Sequence, residues 1–311
     1  MMRWLAIIIF GLWAISGCST DRPAEDFFAP SDIGTLVVDG LLIVDQPLPM
    51  ILLSRATMPN TAYDPRVGAE RDATITVYVH PDGPLVEYGE TPGRGAYVPV
   101  THDTLEVQPE TTYELRVTTA KGETVRATTT TPERFAVSEW VLLDDEGANV
   151  QRRLRTYDEL GEAVYGAPEN QLVYTEGLLE GRFERGDGPG FHIGILSLDL
   201  TSDFVIDPEF FEEEDFDDLQ REISSPAFEA PEGMVRLPWF TIFFEGRYKI
   251  RMYSVDENWY ELILTLPEFG PGFGGEIGDY FERPSFNVEG GIGLFGSASV
   301  DSIGFFVHPR P

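Results

Sequence analysis

The chain has a single cysteine, Cys18, in 311 residues. The cysteine pair of antibody domains is therefore missing. A lone thiol would be a liability in an oxidising compartment unless it is consumed. Lysine is nearly as scarce: of 22 basic residues only Lys121 and Lys249 are lysine, against 53 carboxylates and a formal charge of −31. Such a surface disfavours nucleic acid, because binding phosphates needs a basic face, and it disfavours contact of the folded part with anionic lipid. The excess of carboxylates over lysine is a composition of proteins that work in high salt. Histidine is limited to His80, His102, His192 and His308, which are scattered, and neither H-E-x-x-H nor G-x-S-x-G occurs. No catalytic residue can be named on that basis, and with 53 carboxylates a chance acidic pair decides nothing. After the N-terminal segment no apolar run approaches the length of a membrane span.

What is present begins at the N-terminus. Arg3, the apolar run from Trp4 to Ile15, and Ile15-Ser16-Gly17-Cys18 have the n-region, short apolar core and small-residue ending of a secretory signal, too short to span a bilayer. The Ser-Gly-Cys ending resembles the lipobox of bacterial lipoproteins, so residues 1–17 are expected to be removed and Cys18 to carry covalent lipid, including a palmitate-type acyl chain. Three chains exceed the two signals that stable anchoring requires. Residues 18–32 read as an acidic, proline-containing tether. Its Asp21, Glu25 and Asp26 are spread out rather than consecutive, as a surface-export signal would have them.

From Ile33 the pattern becomes β. Seven runs, Leu36–Val44, Leu48–Ala56, Ala73–His80, Leu85–Tyr88, Ala96–Val100, Thr112–Thr118 and Thr124–Thr131, predict an immunoglobulin-like or transthyretin-like sandwich over residues 33–132. Tyr113 is a candidate tyrosine corner. Pro132-Glu133 predicts a boundary, followed over residues 133–311 by a second β-rich domain with one or two short helices. Its strand candidates are Phe135–Leu143, Leu172–Glu184, Gly190–Leu198, Met234–Glu245 and Arg247–Val255. The best helix is Asp256–Leu266, with Trp259, Leu262, Ile263 and Leu266 on one stripe, Asp256 at the cap and Pro267 as the stop.

Three segments invite chemical readings. The acidic insertion, residues 207–222, offers oxygen ligands for calcium in Glu213, Asp215, Asp217 and Asp218, yet it lacks EF-hand spacing and reads as a solvated loop, so no metal or other cofactor is assigned. Gly291-Ile-Gly-Leu-Phe-Gly296 matches G-x-G-x-x-G but does not open a helix in a βαβ unit. Asn287, Gly290, Gly291, Gly293 and Gly296 are instead expected to form a structural turn, with Ile292, Leu294 and Phe295 packing inward. The run Trp239–Phe244 reads as a buried strand, whereas residues 267–281 form a glycine-rich loop whose aromatics suit recognition.

Thr35-Leu-Val-Val-Asp-Gly-Leu-Leu-Ile43 with Ile51-Leu-Leu-Ser-Arg55, Ala73-Thr-Ile-Thr-Val77 with Thr111-Thr-Tyr-Glu-Leu-Arg-Val117, and Asn258-Trp-Tyr-Glu-Leu262 with Phe281-Glu-Arg-Pro284 and Asn287–Gly296 together resemble a Bacteroidota lipoprotein family, domain of unknown function 4249. The resemblance spans nearly all of the chain after the signal, apart from the acidic insertion. It implies an outer-membrane lipoprotein on the periplasmic or surface face, with an immunoglobulin-like first domain, often encoded beside TonB-dependent receptors. It transfers no catalytic residue. The expected function is a non-enzymatic accessory or binding subunit of a TonB-dependent transporter. A surface adhesion protein and a hydrolase are the alternatives.

Overall fold

The computed structural model describes residues 33–58, 66–92, 94–100, 105–206, 220–265 and 284–311. Strict alternation builds the first half. In β1 (Leu36–Ile43) Leu36, Val38 and Leu42 are buried while Asp39 faces out, and β2 (Ile51–Arg55) buries Ile51 and Leu53. The same period recurs in β3 (Thr74–Val79), β4 (Leu85–Thr91), β5 (Ala96–Pro99), β6 (Thr112–Thr118) and β7 (Thr124–Thr130). Their inward side chains make one core, with Tyr97, Tyr113, Leu115 and Val117 almost fully enclosed. The Tyr113 hydroxyl accepts a hydrogen bond from the Gln108 amide at 2.8 Å, tying the strand to the backbone five residues upstream in tyrosine-corner fashion.

The second half has two layers. One is a four-stranded sheet in the order β14-β11-β8-β9, from β8 (Val137–Leu143), β9 (Val150–Arg153), β11 (Leu178–Phe183) and β14 (Met234–Leu237). The other comprises β12 (Gly190–Ser197), β13 (Glu222–Ser224) and β15 (Gly246–Val255), joined by the C-terminal β17 (Ile292–His308) and flanked by β10 (Gln171–Val173). A second core, including Trp140, Ile250, Met252 and Phe305, lies between the layers. Two helices, α1 (Tyr157–Leu160) and α2 (Glu257–Thr265), lie against β17. The fold is thus mainly β, sandwich-like, with short helices, as the alternating pattern predicts.

β17 joins the halves. Its 17 residues, about 55 Å at strand spacing, run parallel to β1 from Ile292 to Ala298 and then antiparallel to β15 from Ala298 to Val307. Phe295 belongs to the first core, and Ile303, Phe305 and Val307 to the second. The two halves thereby share one 13-stranded sheet that ends at β13 on one side and at β16 (Val288–Glu289), paired with β7, on the other.

Several sequence boundaries move. Leu172–Glu184 divides into β10 and β11 at a turn where Thr175 and Gly177 take positive φ of 61° and 64°. Met234–Glu245 stops as a strand at Leu237, because Pro238 cannot continue the ladder, and Trp239–Thr241 forms a 3-10 turn. The expected buried strand over Trp239–Phe244 is therefore incorrect: Ile242 and Phe244 are buried, but Phe240 is 73% exposed. Within the glycine segment Phe295 is buried, whereas Ile292 and Leu294 are only half-buried because they lie on the outer side of β17 near its start.

Candidate functional site

Cys18, the carboxylates Glu213, Asp215, Asp217 and Asp218, His102 and the loop 267–281 lie outside the described residues. Among the described residues no group of three or more His, Cys, Asp or Glu is arranged to hold a metal ion, and no helix is long and apolar enough to cross a membrane. The remaining histidines lie apart. His308 Nε2 is 2.8 Å from Gln171 Oε1, and His192 is buried under α2 beside Trp259. His80 Nε2 lies 3.0 Å from Glu114 Oε2.

Glu114 is the centre of an outward ion cluster. Its side chain is 2% exposed beneath Arg116 Nε at 2.5 Å, Arg126 Nε at 2.8 Å and His80. The Arg116 hydrogen bond, followed by those of His80 and Arg126, outweighs burial and lowers its pKa from 4.5 to about 2. A depressed carboxylate stabilises the fold above its unfolded pKa and loses that contribution as pH falls through the folded value. Stability should therefore decline between pH 4.5 and 2 through this residue. Glu114→Gln should cost about 1–3 kcal/mol at neutral pH and flatten that part of an acid-unfolding curve. An unchanged acid limb in the variant would contradict this assignment.

The residues of the C-terminal turn converge on the seam between the cores. Asn287 Nδ2 donates to the Phe295 carbonyl at 2.7 Å and to the Thr128 carbonyl at 3.2 Å, and its Oδ1 accepts from the Phe295 amide at 3.0 Å. Gly290 and Gly293 have φ of 79° and 110°, and a Cβ at Gly291 would meet the Leu36 carbonyl at 2.8 Å. Gly296 lacks positive φ, and a Cβ there would come nearest the Leu294 side chain, at 3.0 Å. Beside this turn Asp256 caps α2 by accepting from the Trp259 amide at 3.0 Å, and its other oxygen accepts from Thr129 Oγ1 at 2.5 Å. Ser297 Oγ is 2.8 Å from Thr129 Oγ1, and Ser299 Oγ accepts from the Phe135 amide. These hydroxyls are committed to joining β7, β17 and α2 rather than facing a substrate.

Among the described residues, openings to the surface include a polar and an apolar one. A polar cleft of about 790 Å³ lies at the seam, walled by Glu133, Arg134, Arg182, Arg185 and Glu232 over Phe135 and Phe183. The other, about 380 Å³, is apolar and opens where the two layers of the second half part between β13 and β14. Ile193 and Ile195 of β12 line it with Ile223, Phe228, Val235 and Leu237, and the exposed Phe240 ring stands at its rim. Among the described residues both flanking strands are sheet edges, each with one side of backbone donors and acceptors not paired to another described strand. Phe240 is the residue the sequence reading placed wrongly. The signal available was Pro238, which ends the strand and turns the following aromatics outward.

The sequence profile of a family described as "Domain of unknown function (DUF4249)" matches residues 26–303, which include β1, the seam and most of β17. The chain belongs to that family. No curated protein matches this DUF4249 chain. Among solved structures it is similar to a chain reported under "Structural insight into host cell surface retention of a 1.5-MDa bacterial ice-binding adhesin", at 7% identity and a TM-score of 0.21, covering 88% of this chain and 64% of the other. The DUF4249 chain thus spans less than two thirds of that protein's length.

Proposed function

We propose that this DUF4249 protein is a lipid-anchored, non-enzymatic binding subunit of the outer membrane that docks on a TonB-dependent transporter. The address rests on the signal ending at Cys18, the only cysteine. The observation that carries the binding role is the apolar opening between two edge strands, with Phe240 held 73% exposed at its rim. An open apolar mouth beside free strand edges is what a partner's strand or loop can complete, the edge supplying main-chain hydrogen bonds and the mouth taking alternate side chains. The seam hydroxyls support the non-enzymatic part of the reading, since they are bonded to one another, to the Asp256 carboxylate or to backbone.

Cys18→Ser should move the folded protein from the membrane fraction to the soluble periplasmic fraction. Retention in the membrane would overturn the anchor. A tagged wild-type chain recovered in mild detergent should bring down a receptor-sized outer-membrane partner, and Phe240→Asp should reduce that recovery at least tenfold. Recovery of no such partner, or equal recovery by the variant, removes the transporter reading.

A further inference from the structure

A second recognition surface lies on the opposite face of the large sheet. β15 alternates, so Tyr248, Ile250 and Met252 enter the core while Arg247, Lys249, Arg251 and Tyr253 point outward, about 7 Å apart along the strand. Around Arg251 the lateral neighbours are small, whereas Lys249 has Leu196 beside it and Arg247 has Phe306. Arg251 lies in register between Gly194 of β12 and Ser302 of β17, and Lys249 has Gly304 on one side. The low floor at Arg251, a cleft by side-chain size, lies between two aromatic groups. On one side Tyr157 and Tyr165, hydrogen-bonded hydroxyl to hydroxyl, close over Gly304, and Lys249 Nζ sits 4.8 Å from the Tyr157 ring centre. On the other, Tyr253 meets Trp259 of α2 edge-on at 5.2 Å, with His192 behind, 5.4 Å from Trp259.

The cations in this cleft are unlike others in the molecule. Arg247, at its end, is held by Asp199 at 2.7 Å. Lys249 and Arg251 are half-buried, and among the described residues neither enters an ion pair or a hydrogen bond, in a chain with 53 carboxylates. Other basic groups without an ion pair or hydrogen bond among the described residues, such as Arg71, Arg94, Lys121 and Arg185, are exposed, where water serves them. A half-buried guanidinium with no acceptor among the described residues, on a face that also carries aromatic rings, calls for an external anion.

We propose that this cleft binds an acidic saccharide, its carboxylate on Arg251 and Lys249 and a sugar-ring face against Tyr253 and Trp259. The guanidinium fork matches a carboxylate, lysine adds a mobile point charge, and the aromatic walls match the apolar face of a pyranose. Long polyanions and anionic bilayers are disfavoured because they extend past the cleft over a chain whose formal net charge is −31. A compact acid held within the roughly 8 Å screening length of the two cations avoids that repulsion. The site is separate from the Phe240 opening and holds whether or not a transporter docks there.

Isothermal titration of the full chain, purified from membranes in mild detergent, with glucuronate and trigalacturonate tests the assignment, with glucose and inorganic phosphate as comparisons. Acidic sugars should bind with a Kd of about 1 mM or tighter, and glucose and phosphate at least tenfold more weakly. Arg251→Ala should weaken acidic-sugar binding at least tenfold, Arg251→Lys less, and neither should alter thermal unfolding, because Arg251 has no internal partner to strand. Recovery of the detergent partner should be unchanged in Arg251→Ala, which separates this site from the docking reading. No heat with either acid, equal binding by Arg251→Ala, or glucose binding as tightly as glucuronate each overturns the proposal. Phosphate binding as tightly as glucuronate overturns it too, in favour of a simple small-anion site.

Discussion

Alanine at position 293 should lower folding stability by roughly 3–5 kcal/mol, among the largest losses available from adding one methyl group to this protein. Two independent penalties meet there. Gly293 has φ of 110°, outside even the left-handed region that some other residues tolerate, and a Cβ on the existing backbone would lie 2.1 Å from the Val38 carbonyl oxygen. Val38 and Gly293 are register partners in the β1–β17 ladder, so relieving the clash means separating the strand shared by both cores from the first of them. Two neighbouring controls divide the effect. Gly122→Ala adds a Cβ at φ of 84° with nothing within 4 Å, so it isolates the conformational cost, about 1–2 kcal/mol. Gly296→Ala, at ordinary φ and with the flexible end of Leu294 as its nearest neighbour, should cost about 1 kcal/mol or less. Urea unfolding followed by circular dichroism should rank the midpoints wild type, Gly296→Ala, Gly122→Ala, Gly293→Ala from most to least stable. Equal midpoints for the Gly122 and Gly293 variants would mean the Val38 contact has no energetic weight.

Where the hydrophobic period is two and one face is buried, local sequence and fold agree. Thr112–Thr118 is a strand with the bounds its alternation predicts, and β1, β3 and β7 differ from their predicted bounds by one or two residues. β17 was hidden because Gly293, Gly296 and Gly304 interrupt the apolar pattern, and Gly293 and Gly304 admit close neighbours, Val38 and Tyr157, that only the assembled fold reveals. β9 and β13 are short edge strands of mixed polarity, held by one partner each, and carry little local signal. The same division applies to function. The alternation of Arg247, Lys249, Arg251 and Tyr253 can be read along the chain, but Gly194 and Ser302 beside Arg251 come from strands far away in sequence. Asp256 was legible as a helix cap from its position before Trp259 and Leu262. Its bond to Thr129, 127 residues earlier, was not.

That bond makes Asp256 the most consequential polar residue of the seam. Its carboxylate is 6% exposed, and burial raises its pKa against the opposing hydrogen bonds from Thr129, Trp259, Ser297 and Asn258. Asp256→Ala removes the acceptor for the Thr129 hydroxyl, which is 1% exposed, and the cap of the Trp259 amide, and it opens a void beside Ser297. Losing a cap costs about 1 kcal/mol, and stranding a buried hydroxyl about 1–3 kcal/mol, so roughly 3 kcal/mol is expected in all. Hydrogen exchange should quicken at the Trp259 and Tyr260 amides, which Asp256 holds through its side chain and carbonyl, and at the Asp256 amide bonded to Ser297. Amides deep in β6 should be affected least. The pH dependence separates Asp256 from Glu114. A carboxyl whose folded pKa lies above its ordinary value of 3.8 contributes stability that is fully present below 3.8 and is lost as pH rises through the folded pKa. Asp256→Asn, which keeps the shape without a titrating group, should therefore be most destabilised relative to wild type at acid pH and least at neutral pH. Glu114→Gln should show the reverse, because its carboxylate is favoured by folding rather than opposed by it. If the Asp256→Asn difference instead grew from pH 4 to 7, the ionised carboxylate would be an asset of the seam, and the hydrogen bonds from Thr129 and Trp259 would outweigh its burial.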